Sequence, residues 1–363
     1  MNQTQIINPF HIAIDPMERL LLVNFEQDPD TIYVGFEPQV FDDPINGTGH
    51  LIVGWRQDGR VDVFHQPGLR LNPAKYDIAG KGLAHMVERE MAGAAFEINN
   101  FGVQAHYEFK DIHNRTVVIH INEQNSKMRK PFGLLAPMGD AAEDPSAMPL
   151  VLLHDFYFVR KKHTSIEISI DGKQHVPDQL PVPMDYTSMY FTRYSPKPLI
   201  ATLNPAFDGE LEPVTIKVDT RQIRIADTVL KLNWTDDEPS LKQIRHENEV
   251  HPLDMRFEPA FPDLQTLADA ARFEGKFEIE GHPSTGFIAG DYSVEKQDGL
   301  ITITMIPTGG WQSRPTKFSL RFLYTVAGIF RKWPTTYEWT AHIEEKETGV
   351  TTMRSAWRRI NRK

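Results

Sequence analysis

Two histidines occupy matching positions in a predicted β-hairpin. Apolar residues alternate along both strands, and they share one face only if the loop has an odd length, for instance 111–115. That register sets His106 opposite His120, with Glu108 on the same face. Directly opposed Cβ atoms lie about 4.5–5.5 Å apart, close enough for two imidazoles and a carboxylate to share a proton or a metal ion. The alternative is that His106, Glu108 and His120 only form the solvent-exposed face of an ordinary antiparallel meander.

A second group combines a carboxyl, a phenol and imidazoles. Asp155 and Tyr157 lie in an aromatic-rich strand next to His154, and His175 follows one hairpin later. Bulky apolar neighbours predict that the strand is buried on at least one face, which disfavours an ionised carboxyl and raises its pKa toward that of a general acid. A two-residue turn pairs His175 with Ile168, beside an apolar wall. The alternative is a structural hydrogen bond of Asp155 to Tyr157 or to the backbone.

These two groups give five candidate catalytic residues, and aromatic side chains give four candidate ligand contacts. The catalytic candidates are Asp155, Tyr157, His175, His106 and His120. The ligand-binding candidates are Tyr186, Tyr190, Trp311 and Trp339, because aromatic rings with a polar tip suit an apolar pocket that orients one or two oxygens. Burial in a barrel core is the alternative for most aromatic residues. Trp311 follows two glycines, and this position on a flexible rim favours a role as a lid or plug of the predicted pocket.

The elements that position these residues are predominantly strands. Asp-Gly pairs at 58–59, 171–172 and 298–299 each separate two extended runs, the strongest short-range signal for a hairpin. A two-residue turn at 298–299 sets Val294 opposite Ile303, so that one face is apolar and the other polar. The spacing predicts one helix over Asp263–Phe273, where Asp263 is the N-cap.

The chain is long enough for two hydrophobic cores, and prolines mark a boundary between them. It has 363 residues. Seven prolines between residues 177 and 213 interrupt the strand pattern. We predict an all-β protein with few short helices, built of two antiparallel barrels packed side by side, at residues 1–200 and 201–363. Barrel closure removes exposed sheet edges.

Composition excludes several functional classes. The formal net charge of −10, without long single-sign runs, argues against nucleic-acid binding and against docking on anionic membranes. The absence of cysteine excludes disulfides, thiolate metal sites and a cysteine nucleophile. No apolar stretch approaches the roughly 20 residues of a membrane-spanning helix, and no signal peptide is visible at the start. We therefore expect a cytoplasmic protein, with oligomeric state left open.

The order of segments resembles a known family. A hairpin over Phe96–Glu123 is followed by a Pro/Gly-rich loop, by Asp-Phe-Tyr-Phe at 155–158 and by the strand that ends in Asp-Gly at 171–172. The second half adds Gly-Asp-Tyr at 290–292 and Pro-Thr-Gly-Gly-Trp at 307–311. This order is similar to that of the two-domain lipocalin-like proteins, which include carotenoid 1,2-hydratases and fungal pericyclases. The resemblance implies two lipocalin-like barrels and a pocket for a largely apolar small molecule.

Three functional hypotheses follow. The first is a protein that binds a terpenoid- or polyketide-like molecule and catalyses its hydration, isomerisation or cyclisation, with acid/base residues and no cofactor or metal. The second is a non-catalytic carrier of the same fold. The third is a carbohydrate-active β-protein with paired carboxylates, which requires an open cleft lined by exposed tryptophans.

Overall fold

The computed structural model describes residues 3–15, 17–136, 142–184, 186–248, 251–315, 317–326, 330, 332–346 and 349–360. In these ranges the protein is all-β with few short helices, as predicted. The only α-helix of eight or more residues there is α1 (Phe318–Val326), and single 3₁₀ turns occur at Pro73–Lys75 and Pro283–Thr285.

Sixteen strands lie in the described part of the first 203 residues. They are β1 (Gln3–Ile6), β2 (Ile12–Asp15), β3 (Arg19–Asn24), β4 (Tyr33–Asp43), β5 (Gly47–Arg56), β6 (Val61–His65), β7 (Leu83–Glu88), β8 (Ala95–Asn99), β9 (Gly102–Lys110), β10 (Thr116–Glu123), β11 (Phe132–Ala136), β12 (Met148–Arg160), β13 (Thr164–Ile170), β14 (Lys173–Gln174), β15 (Met189–Ser195) and β16 (Leu199–Leu203).

Eleven strands follow within the described residues. They are β17 (Phe207–Glu210), β18 (Val214–Lys217), β19 (Gln222–Ile225), β20 (Thr228–Thr235), β21 (Glu238–His246), β22 (Leu253–Phe261), β23 (Arg272–Glu280), β24 (Phe287–Gln297), β25 (Leu300–Gln312), β26 (Tyr337–Glu345) and β27 (Thr351–Arg359). Strands β19 to β27 pair in chain order as one antiparallel meander, and β17 adds to its far edge beside β27.

The N-terminal half divides between two sheets in the described residues. Five strands pair in the order β14-β13-β10-β9-β8, and the order β2-β16-β12-β15-β3-β4-β5-β6-β7 forms the larger sheet, with β11 also paired to β12. Strands β6 and β7 are parallel, an exception to the expected antiparallel pairing. The parallel pair is possible because the long connection at 66–82 returns the chain to the same end of the sheet.

The predicted hairpin registers are confirmed at the Asp-Gly turns. At 171–172 and 298–299 both turn residues have positive φ, as a type I′ turn requires. Val294 pairs with Ile303, and the backbone NH of His175 donates to the carbonyl of Ile168 at 2.8 Å. Local turn chemistry therefore fixes these pairings.

The predicted helix over Asp263–Phe273 is wrong. Asp263 accepts a hydrogen bond from the backbone NH of Gln265, but it caps only a turn. Ala270 has a φ of 63°, outside the helical region, and β23 begins at Arg272. Of the apolar residues that suggested a helical face, Leu264 and Leu267 are buried in the core, whereas Ala268 is exposed. So short a segment gains little from helix formation unless packing selects it.

The start of the chain packs against the C-terminal half. Strand β1 pairs with β18, and the ring of Phe10 lies 5.1 Å from that of Phe257 and 5.7 Å from that of Trp339. Buried apolar residues from both halves form one continuous cluster around Phe10. The interior beneath the C-terminal meander is thus filled at this point by a side chain from the other end of the sequence.

No helix among the described residues has the length and apolar character needed to cross a membrane.

Candidate functional site

An apolar cleft lies between the larger N-terminal sheet and helix α1. Its volume is about 500 Å³, within the range of sites for small organic molecules. Strands β3, β4, β5, β11, β12 and β15 form its walls, and α1 covers it. The apolar lining includes Leu20, Leu22, Phe36, Leu134, Phe156 and Phe158.

A β-bulge in β12 shapes the cleft wall. Phe132 pairs with Phe156, whereas Leu134 pairs with Leu153, so β12 has one residue more than β11 between these points. The extra residue changes the alternation of side chains along β12. Leu153 and Phe156 consequently both line the cleft, although in a regular strand they would point to opposite faces.

Helix α1 is held over the cleft by side chains on one of its faces. Leu320, Leu323 and Tyr324 follow helical spacing and line the cleft. The Tyr324 hydroxyl donates to the carbonyl oxygen of Gly133 in β11 at 2.8 Å. Beneath the helix, the indole NH of Trp311 donates to the carbonyl of Thr285 at 2.7 Å, and its ring lies 4.9 Å from that of Tyr324.

The polar end of the cleft holds a buried carboxyl group. Glu37 is 4% exposed and accepts hydrogen bonds from Gln39 Nε2 at 2.9 Å and from Trp55 Nε1 at 3.1 Å. Burial raises the pKa of Glu37, and the two hydrogen bonds and the charge of Arg193 only partly oppose this effect. The site therefore favours the protonated acid.

A guanidinium group lines the same cleft. Arg193 Nη1 donates to Asn24 Oδ1 at 2.5 Å and to the carbonyl of Phe191 at 3.0 Å, and the guanidinium carbon lies 4.3 Å from the Phe191 ring centre. Burial lowers the pKa of Arg193 to about 10, against the charges of Glu37 and two other carboxylates. Among the described residues, Glu37 and Arg193 make no direct ion pair. Each of the two groups is therefore held at the cleft wall by its own hydrogen-bond partners.

The predicted pairing of two histidines is confirmed, but they lie outside the cleft. His106 is directly opposite His120, with ring centres 5.7 Å apart, and the loop at 111–115 closes as expected. Both rings are half-buried on the outer face of the five-stranded sheet, and His120 also pairs with Glu167 of β13. Neither histidine lines the apolar cleft.

The group around Asp155 is divided by the fold. His154 contacts His251 and His282, with ring centres 4.4 and 5.3 Å away, and both partners come from the C-terminal half. Burial, followed by the charge of His251, lowers the pKa of His154 to about 4. Among the described residues, no set of three or more histidine and carboxylate side chains, this trio included, is arranged to hold a metal ion. Asp155 is half-buried beside it.

Tyr157 and His175 lie in separate environments. Tyr157 stacks on Tyr194 with ring centres 5.4 Å apart, and burial raises its pKa. His175 is 3% exposed, and its Nδ1 donates to the carbonyl oxygen of Asp28 at 2.8 Å, at the edge of the N-terminal core. The structure therefore does not bring Asp155, Tyr157 and His175 together at one reacting centre.

The four candidate ligand contacts also separate. Tyr186 is fully exposed, and Tyr190 packs against the N-terminal core with Lys161 Nζ 5.7 Å from its ring centre. Trp339 is buried against Phe10. Trp311 is buried as well, and it is the one of the four that supports the cover of the cleft.

Glu37 and Arg193 were not among the sequence candidates. A signal for Glu37 was available, because this carboxyl lies in the middle of strand β4, between the apolar residues Phe36 and Val40, and the strand is buried almost throughout. Arg193 carried no comparable signal, since its surroundings depend on how β15 packs between β12 and β3.

Comparison of the chain with protein-family models, with curated proteins and with solved structures found no match. The lipocalin-like resemblance thus stays a prediction, and the functional argument rests on the geometry of the cleft.

Proposed function

We propose that the protein binds an apolar small molecule with one polar group in the cleft beneath α1. One observation carries this proposal. The cleft has a volume of about 500 Å³, its lining is largely apolar, and Glu37 and Arg193 supply polar groups in that lining. Apolar walls supply affinity through surface removed from water, and a few fixed polar groups orient the ligand. The apolar lining favours such a ligand over a saccharide, which needs many polar partners.

The two polar groups define the ligand's polar end. A protonated Glu37 donates a hydrogen bond to a carbonyl or hydroxyl oxygen, and Arg193 stabilises negative charge on that oxygen. A terpenoid- or polyketide-like molecule with one oxygenated end meets both requirements. This class is the one named in the first of the three hypotheses drawn from the sequence.

Cofactor-free acid catalysis is a second candidate, and the raised pKa of Glu37 favours it. A buried carboxyl group with a raised pKa can protonate a carbonyl oxygen or an alkene and later take the proton back. Isomerisation or cyclisation of the bound molecule then needs no external electron donor. A carrier requires only the binding step, so activity distinguishes the two candidates.

Binding is tested with Nile red, a neutral apolar dye, by fluorescence titration of the full chain. Leu153→Trp adds bulk to the cleft wall and should weaken dye binding at least about tenfold. Leu300→Trp adds the same bulk at an exposed position of β25 and should leave binding unchanged. Equal binding by the wild type and Leu153→Trp would contradict the proposal.

Catalysis is tested on the compound that the protein retains when purified from its own host and identified by mass spectrometry. Glu37→Gln keeps the shape of the side chain and removes the acidic proton. An enzyme should lose turnover of that compound in this variant while it still binds Nile red. Unchanged conversion by Glu37→Gln would mean that another residue carries the reaction. If the wild type does not convert the compound, the protein is a carrier.

A further inference from the structure

A second pocket, on the N-terminal half, combines cations with aromatic rings. Its volume is about 290 Å³, and Lys127, Arg129, Lys130, Tyr157 and Tyr186 are among the residues that line it. We call it the basic pocket. It shares Phe158 with the apolar cleft but none of the cleft's charged groups.

Local sequence makes this pocket positive in a protein that is negative overall. The segment 124–139 contains three basic residues and no acidic residue, whereas the whole chain has a formal net charge of −10. Arg160 also lines the pocket, but Glu123 neutralises it through a buried ion pair at 2.6 Å. Of the two arginines that line the pocket, Arg129 therefore makes no ion pair in the described part of the chain.

Arg129 is partly buried, and its hydrogen bonding is incomplete. Its Nη2 donates to the carbonyl of Asn99, while its buried Nη1 has no hydrogen-bond partner in the described part of the chain. The guanidinium carbon lies 4.9 Å from the ring centre of Tyr157 and 5.6 Å from that of Tyr194. Burial lowers the pKa of Arg129, and Arg160 adds to the effect. An unpaired buried guanidinium nitrogen is costly, and an anion would compensate it.

The other walls set the kind of anion. Tyr157 and Phe132 provide aromatic surface, and Met128 and Met189 provide further apolar surface. Lys127 Nζ donates to the Thr187 hydroxyl at 2.9 Å, which fixes a second positive charge at the pocket edge. A planar carboxylate matches guanidinium geometry, and an aromatic body matches the rings.

We propose that the basic pocket binds a small aromatic carboxylate, with its carboxylate on Arg129 and its ring against Tyr157. This site is separate from the apolar cleft, and it does not depend on the function proposed there. It also gives Tyr157 and Tyr186 a role in binding.

The probe is benzoate, titrated calorimetrically into the full chain, with benzamide as its uncharged isostere. Benzoate should bind at least about tenfold more tightly than benzamide. Its affinity should fall when salt is raised from about 20 mM to about 500 mM, because the attraction is partly screened. Equal affinities for benzoate and benzamide would overturn the proposal.

Variants locate the site. Arg129→Gln should weaken benzoate binding about tenfold or more, and Arg129→Lys should restore part of the loss. The matched control is Lys173→Gln, which removes an exposed positive charge from β14. An equal loss in the control would mean that only overall charge matters, and the proposal would be wrong. Thermal unfolding of each variant shows that it is folded.

Leu153→Trp separates this site from the cleft. Benzoate binding should persist in that variant whether or not Nile red binding is lost. If Leu153→Trp abolishes benzoate binding and Arg129→Gln does not, the anion occupies the cleft and the proposal for the basic pocket fails.

Discussion

The Tyr324 hydroxyl donates to the Gly133 carbonyl oxygen at 2.8 Å, and this bond joins helix α1 to strand β11. The two residues are 191 positions apart in sequence. At the same strand position, a Cβ on Gly133 would lie 2.2 Å from the carbonyl oxygen of Ser284. Helix α1 is therefore attached to the N-terminal half at a residue where Ser284 leaves no room for a side chain.

Tyr324→Phe should loosen α1 without unfolding the protein. The variant loses one hydrogen bond, worth about 1 kcal/mol, and leaves the Gly133 carbonyl without this partner. Amide hydrogen exchange over 318–326 should become faster, and Nile red should dissociate faster from the cleft. Thr48→Val, which removes an exposed hydroxyl that donates to Asp42, is the control and should alter neither rate. Unchanged exchange in Tyr324→Phe would show that packing alone holds the helix.

Glu37 should make the protein less stable at higher pH. Burial raises its pKa in the folded state, so the folded protein keeps a proton that the unfolded chain releases near pH 4.5. The folded state binds more protons above that pH, and stability therefore falls as pH rises through the folded pKa. Glu37→Gln should be more stable than the wild type at pH 8, with a smaller difference at pH 4.

Urea unfolding at the two pH values measures this difference. Glu26→Gln is the matched control, because Glu26 is an exposed carboxylate at the same cleft. It distinguishes the effect of burial from the loss of one negative charge. If Glu37→Gln is less stable than the wild type at pH 8 as well as at pH 4, the buried carboxyl is not held in its acid form.

Local pairing was predictable from the sequence, and the reason lies in short-range geometry. The opposition of His106 and His120 follows from apolar alternation and an odd loop, both of which are readable within some twenty residues. The Asp-Gly turns at 171–172 and 298–299 are likewise determined by residues that tolerate positive φ.

The cleft was not predictable in the same way, because three long-range features create it. The bulge between Leu153 and Phe156 changes which side chains share a face, and alternation alone cannot reveal it. The described part of helix α1 spans nine residues, with Leu320 and Tyr324 as its buried positions. A segment of this length depends on tertiary packing for its helical stability. Glu37 and Arg193 meet only once β4 and β15 lie in one sheet.

The three-histidine contact should destabilise the protein in acid. The pKa of His154 is about 4 in the folded state, below its usual value of 6.5, because of burial and the nearby His251. Between these values the unfolded chain binds a proton that the folded protein excludes, so stability falls as pH drops from about 6.5 to 4. His154→Gln should reduce this fall by about 1–2 kcal/mol, after allowance for solvent screening.

Chemical denaturation at pH 7 and pH 4 measures the His154 effect. Gln124→Ser, a neutral change at an exposed position, should keep the wild-type pH dependence. If the free energy of unfolding changes equally with pH in His154→Gln and the wild type, the contact among His154, His251 and His282 does not resist protonation.

Phe10→Ala should be strongly destabilising although Phe10 lies near the start of the chain. Its ring contacts Phe257, Phe261 and Trp339 under the C-terminal meander and is 2% exposed. Truncation leaves a cavity among aromatic side chains and should cost about 3–5 kcal/mol in the free energy of unfolding, measured with urea. Phe318→Ala, at a ring that is 82% exposed, should change it by less than about 0.5 kcal/mol. Similar values for the two variants would mean that the initial segment does not contribute to the core of the C-terminal half.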